Sequence, residues 1–212
     1  MLKNVDLFAN LPDQALESLS AYAKRRRYPK NTIILMEGDA CNHFYVVETG
    51  TLKVFVEDAN GRQATLNILG PGEHFGELAL IDGAPRSASV MTVTDAELLA
   101  ISQRDFHTFI EDDHAISLEL MKALVKRVRM LTDNVRDLAL LDVYGRIKNL
   151  LENRVSDDEG LIEPKLTHQE ISEMVGASRE MVSRIMRELV LGGYIEQTPT
   201  SLILRKRFPA NW

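Results

Sequence analysis

Near the C-terminus, Arg179, Glu180, Ser183, Arg184 and Arg187 recur at the spacing that puts them on one side of a helix. Arginine pairs bidentately with guanine and glutamate accepts from cytosine N4, so this set is suited to reading base edges in a DNA major groove. The other side, Val182, Ile185, Met186 and Leu189, is apolar and points inward. Ser178 caps the end that carries Arg179 and Glu180. Ahead of it, Thr167 with Glu170 three residues on forms a capping box that starts a shorter helix. Ile171, Met174 and Val175 give that helix a buried face, and Gly176 permits the tight turn that ends it. Two short helices joined at a glycine predict a helix-turn-helix. After Gly192-Gly193, the runs Tyr194–Gln197 and Ser201–Leu204 fit a two-stranded wing, and Arg205, Lys206 and Arg207 add positive charge for phosphates.

A second group of residues suits a small anion. In the stretch 70–90, Gly76 lets the backbone approach a ligand closely, and Glu77 to Ile81 can form one short helix whose free N–H groups favour negative charge. Arg86 supplies a fixed positive charge with the fork geometry of a phosphate ligand, and Ser87 adds a hydroxyl. Glu77, an acid beside such a site, makes more sense as an acceptor for a sugar hydroxyl than as a phosphate contact.

The surrounding elements follow from periodicity. Leu11 to Tyr22 has helical spacing. From Thr32 to Ser102 the chain breaks into short β-rich runs separated by turn signals such as Asn60-Gly61 and Gly70-Pro71-Gly72, which predicts an antiparallel sandwich or jelly roll. Asp112 to Leu141 returns to helical spacing. Its apolar positions Met121, Leu124, Val128, Leu131, Val135 and Leu138 alternate steps of three and four, a heptad seam that suggests pairing with a second copy. Helical periodicity continues through Val143–Leu151, and Ser156 to Gly160 reads as an exposed loop.

Charge and composition narrow the function classes. The net charge of −6 is uneven: residues 143–212 hold ten Lys/Arg and ten Asp/Glu, so the acidic excess lies wholly in residues 1–142. A neutral C-terminal part still binds phosphates where its bases share a face. The single cysteine, Cys41, excludes an internal disulfide and a thiolate metal cluster. His43, His74, His107, His114 and His168 form no ligand-spaced pair, and His74 reads as a surface loop residue. No apolar run reaches the ~20 residues of a membrane helix, and the start MLKNVDLFANLPDQ lacks a signal-peptide pattern, so a cytoplasmic protein is expected. Without a metal-ligand cluster or a nucleophile beside a base, an enzyme such as a nucleotide phosphodiesterase is disfavoured.

Residues 166–195 resemble the DNA-binding signature of the cyclic-AMP receptor protein/fumarate-nitrate regulator family. The run SerArgGluMetValSerArg at 178–184 is similar to the receptor branch in holding Arg179, Glu180 and Arg184 together, whereas Ser183 matches the fumarate-nitrate branch. PheGlyGluLeuAlaLeuIleAspGlyAlaProArgSerAlaSer at 75–89 looks like the phosphate-binding cassette of cyclic-nucleotide-binding domains, and the resemblance extends over essentially the whole chain, including 138–147. It implies an α+β architecture: an N-terminal β-roll sensor over 1–111, a dimerisation helix over 112–141 and a winged helix-turn-helix over 142–212. It implies a homodimer reading an inverted repeat of TGTGA-like half-sites in double-stranded DNA. The fumarate-nitrate half-site is TTGAT-like, and the two share a central GA. Carried over residue by residue, Gly76, Glu77 and Leu78 would hold the ribose and the cyclic phosphate edge, and Arg86 and Ser87 the phosphate. Where the bacterial receptor branch has adjacent Thr and Ser touching adenine, this chain has Leu131 and Thr132, and only Thr132 is carried over as a base contact. Cyclic AMP is the first expectation for the effector. Cyclic GMP, cyclic di-GMP, haem, a metabolite or no effector are the alternatives, and the intact Arg86-Ser87 pair favours a mononucleotide. RNA polymerase is the further partner implied.

Overall fold

A computed structural model describes residues 23–40, 42–112, 114–155, 160–162 and 165–209. The helix expected at Leu11–Tyr22, Cys41 and residues 156–159 of the expected loop lie outside the described residues. The chain divides into two compact units, with the boundary between Arg129 and Met130.

Among the described residues, the first unit has eight strands, β1 (Lys24–Tyr28), β2 (Ile33–Leu35), β3 (His43–Thr49), β4 (Leu52–Glu57), β5 (Gln63–Leu69), β6 (His74–Phe75), β7 (Ser89–Thr92) and β8 (Ala96–Ser102), with helix α1 (Leu78–Asp82) between β6 and β7. They form two antiparallel four-stranded sheets, ordered β1-β8-β3-β6 and β2-β7-β4-β5. Side chains alternate across a strand, so one face of the first sheet turns Tyr45, Val47, Phe75, Leu98 and Ala100 onto Leu52, Val54, Leu69 and Val90 of the second. The other face carries Phe44, whose ring stacks on Phe106 with centroids 5.1 Å apart.

Strand β1, LysArgArgArgTyr, falls outside the β-rich region expected from Thr32 onward. Its run of charge conceals it, yet an edge strand tolerates charge because only one side is paired. Arg25 and Arg27 reach Glu48 and Glu97 across the sheet at 2.6 and 2.7 Å. His74 is a second correction. It lies in β6, half-buried, paired in register with Val46, its ring 5.6 Å from that of Phe44.

The helix expected from Asp112 to Leu141 is α3 (His114–Leu140), and a further helix with no counterpart in the sequence reading, α2 (Gln103–Asp112), precedes it. Ser102 caps α2: its hydroxyl accepts from the Asp105 amide and donates to the Asp105 carboxylate. Along α3 the seam residues Met121, Val128, Leu131, Val135 and Leu138 are exposed, Val135 by 64%, with Leu124 half-buried.

The second unit contains α4 (Val143–Glu152), β9 (Leu161–Ile162), α5 (His168–Val175), α6 (Arg179–Leu191), β10 (Ile195–Gln197) and β11 (Leu202–Leu204). Its core gathers Ile147 and Leu151 from α4, Ile171 and Val175 from α5, Val182, Ile185, Met186 and Leu189 from α6, and Ile195, Leu202 and Phe208. Each such fully buried aliphatic side chain contributes about 1.5–3 kcal/mol. The expected two-stranded wing is a three-stranded sheet, ordered β10-β11-β9. The extra strand is only two residues long, which leaves no alternation to detect.

Candidate functional site

The reading face is set by backbone chemistry at both ends of α5 and at the start of α6. Thr167 Oγ1 accepts from the Glu170 amide while the Glu170 carboxylate accepts from the Thr167 amide, completing the capping box. Gly176 ends α5 in the left-handed conformation, φ 63°, a region side chains other than Gly and Asn rarely enter. Ser178 Oγ then accepts from the Met181 amide to start α6. With Val182, Ile185, Met186 and Leu189 buried, Arg179, Glu180, Arg184 and Arg187 are exposed and Ser183 is half-buried. The head is braced from behind: Arg146 donates through Nε to the Val175 carbonyl at 2.7 Å and through Nη1 to the Leu141 carbonyl at 2.9 Å.

Arg187 and Ser183 line an open groove of about 800 Å³ between α6 and the wing, together with His168 and Arg205. His168 Nδ1 lies 2.9 Å from Ser183 Oγ. Its imidazole is held below its usual pKa by burial first, then by the charges of Arg179 and Lys165. The basic cluster expected at 205–207 is partly engaged internally. Arg205 pairs with Glu196 at 2.7 Å, and Lys206 donates to the Gly192 carbonyl and sits over the Tyr194 ring. Arginines able to meet DNA without breaking an ion pair are therefore concentrated on α6.

The second site lies where β6 runs into α1. Gly76 has φ 87°, and a Cβ there would stand 2.8 Å from Arg86 Nη1 and 3.2 Å from the His43 carbonyl. Glycine thus leaves the space in which the guanidinium sits. Arg86 is 5% exposed; Nη1 donates to the Gly76 carbonyl at 2.8 Å and Nη2 to the His43 carbonyl at 2.7 Å. Its Nε has no acceptor, and among the described residues no carboxylate lies within ion-pair distance. Glu77, equally buried at 5%, stands at the N-cap of α1 without a side-chain capping bond. Helix α1 starts one residue later than expected, at Leu78, which is exposed, as is Ser87. A buried cation without a counter-ion is costly, and neutral carbonyls compensate it only in part. This cradle therefore fits an anion. Thr132 lies on α3 in the second unit, exposed.

Sequence reasoning missed the role of His43. It acts through its carbonyl, which no side-chain pattern reveals. Its imidazole is pushed below the usual pKa by burial first, then by Arg26, Arg86 and Lys24. Among the described residues no three His, Cys, Asp or Glu side chains converge as a metal-holding group, and no helix is long and apolar enough to cross a membrane.

Residues 25–113 match the cyclic nucleotide-binding domain family, and residues 140–207 match the Crp-like helix-turn-helix domain family. The cAMP-activated global transcriptional regulator Vfr of Pseudomonas aeruginosa is 32% identical over 198 residues, covering 89% of this chain and 92% of that protein. The cAMP-activated global transcriptional regulator CRP of Haemophilus influenzae is 34% identical over 183 residues, covering 84% and 82%. Among solved structures, the c-di-GMP responsive global regulator CLP of Xanthomonas campestris matches with a TM-score of 0.81 at 28% identity, covering 92% of this chain and 100% of that one.

Proposed function

This DNA-binding transcription regulator belongs to the cyclic-AMP receptor protein/fumarate-nitrate regulator family, and from that premise we propose that it is a homodimer whose DNA binding is gated by cyclic AMP. The observation that carries the gating is Arg86: a buried guanidinium with, among the described residues, no partner for its Nε and no counter-ion, in the space left by Gly76. A cyclic phosphate supplies the missing negative charge and acceptor, with Ser87 as a further donor. Glu77 accepts from the ribose hydroxyls, and Leu78 packs beside them. The exposed apolar seam of α3 supports pairing with a second copy, since a monomer rarely leaves such a stripe in water. The ligand switches the protein by binding one dimer arrangement more tightly than the other. Ser178, Arg179, Glu180, Ser183, Arg184 and Arg187 read TGTGA-like half-sites in an inverted repeat. The protein works in the cytoplasm with RNA polymerase as its downstream partner.

A second reading, cyclic di-GMP as effector, is favoured by the likeness to the Xanthomonas regulator and by Leu131, which brings no hydroxyl to the base. Titration calorimetry with cyclic AMP, cyclic GMP and cyclic di-GMP separates the readings. Binding of cyclic AMP alone, weakened by about thirtyfold or more by Arg86→Leu, is the expected result. Heat only with cyclic di-GMP transfers the assignment to the second reading, and no heat with any of them refutes the nucleotide-gated function.

A further inference from the structure

We propose that His168 is a positioning residue for base selection: from the first helix of the head, it fixes the Ser183 hydroxyl with which the second helix reads the outer base pair of each half-site. The inference rests on the reading-head assignment above. His168 opens α5 and Ser183 lies near the middle of α6, so the 2.9 Å contact ties the two helices together at the groove rather than in the core. The other serines of these helices spend their hydroxyls on nearby backbone, Ser172 on the Gln169 carbonyl and Ser178 on the Met181 amide. Ser183 instead answers to a side chain.

A serine hydroxyl has one proton and two lone pairs, and an unrestrained side chain samples three rotamers. The imidazole occupies one hydrogen-bonding direction and selects a rotamer. The remaining directions therefore face the groove already ordered, and a preordered group discriminates between bases without a further entropic cost on binding. The half-buried imidazole, with Arg179 and Lys165 near it, stays neutral and able to share a proton with the hydroxyl in either direction.

The test measures affinity of the full-length, effector-loaded protein for operator duplexes carrying each of the four base pairs at the outer half-site positions. Wild type, His168→Ala, Ser183→Ala, the double variant and His168→Asn are compared. The asparagine amide can take the place of Nδ1. His168→Ala and Ser183→Ala should each reduce discrimination at the same single base pair by about five- to tenfold, the scale of one hydrogen bond. The double variant should lose no more than either alone, central GA discrimination should be unchanged, and asparagine should restore the preference. A uniform loss on all duplexes with a shallower salt dependence would make His168 a phosphate contact and overturn the proposal. Additive losses, or no change, would overturn it equally. Should Arg184→Ala leave specific binding intact, the head assignment fails rather than the pair.

Discussion

The two functional regions hold arginine in opposite ways. On α6, Arg179, Arg184 and Arg187 stand in water over an apolar core, and every local backbone demand is met by Thr167, Glu170, Gly176 and Ser178. In the cradle at Gly76, Arg86 is turned inward, two of its nitrogens engaged by neutral carbonyls and the third by none of the described residues. Exposed charge attracts any polyanion and is screened by salt. Buried charge without a counter-ion binds one small anion strongly and is screened far less. On the proposed function, the head would act as a general DNA-binding surface refined by base contacts, and the pocket as a receptor for one small anion. If so, operator affinity should fall steeply between 50 and 200 mM salt, on the order of 10³-fold or more for six phosphate contacts, while nucleotide affinity measured over the same range should change much less. Equal salt slopes would erase the distinction.

The largest mutational effect is expected in the pocket. Arg86→Leu removes the buried cation proposed to meet the anion, and truncating such a partner costs about 2–5 kcal/mol. Calorimetry should show effector affinity weakened by about thirtyfold or more, with the melting temperature of the ligand-free protein not lowered, because a costly buried charge has been removed. Next comes Arg179→Ala in the head, where a bidentate base contact is worth about 1–3 kcal/mol. The loss should appear for one base pair per half-site in competition binding and leave nucleotide affinity alone. Thr167→Ala is smaller, at about 1 kcal/mol of stability, the usual value of an N-cap. It should lower the melting temperature of the second unit without touching the first.

The smallest effect compares the two histidines. His43 and His168 both have pKa values held below 6.5, each by burial first and then by neighbouring cations. Protonation therefore favours the unfolded chain: their contribution is full above about pH 6.5 and is lost as the pH falls from there through the folded values. Thermal melts between pH 7.5 and 5.5 should show acid destabilisation in both units. His43→Gln should flatten it in the first and His168→Gln in the second, and a variant that leaves the slope of its own unit unchanged contradicts that assignment.

The same contrast explains what could be read in advance. The head's helices were legible because their signals are local: Thr167 and Glu170 three apart, Gly176 at the turn, Ser178 at the next cap. The β-roll was legible in outline from alternation and turn residues. Strand β1 was not, because its partners Glu48 and Glu97 lie 23 and 70 residues away and only cross-strand pairing makes sense of four consecutive basic residues. Helix α2 was missed although Ser102 and Asp105 already carried a capping signal. In the pocket, Gly76, Glu77, Arg86 and Ser87 are legible as a cluster of residue types, of which the structure sets Gly76 against Arg86. What makes Arg86 demand an anion, the carbonyls of Gly76 and His43 and the bare Nε, is backbone geometry between distant strands. The link from His168 to Ser183 was hidden for the same reason, since it joins two helices through side chains fifteen residues apart.

If the pocket gates the head's grip on DNA, fluorescence anisotropy of a labelled inverted-repeat TGTGA operator reads that coupling. The full-length protein is titrated at fixed salt with and without saturating cyclic AMP. Operator binding should be at least about tenfold tighter with the nucleotide, a coupling within the usual 1–3 kcal/mol range, with no gain for Arg86→Leu at the same nucleotide concentration. Equal operator affinity in the presence and absence of cyclic AMP, cyclic GMP and cyclic di-GMP would contradict it.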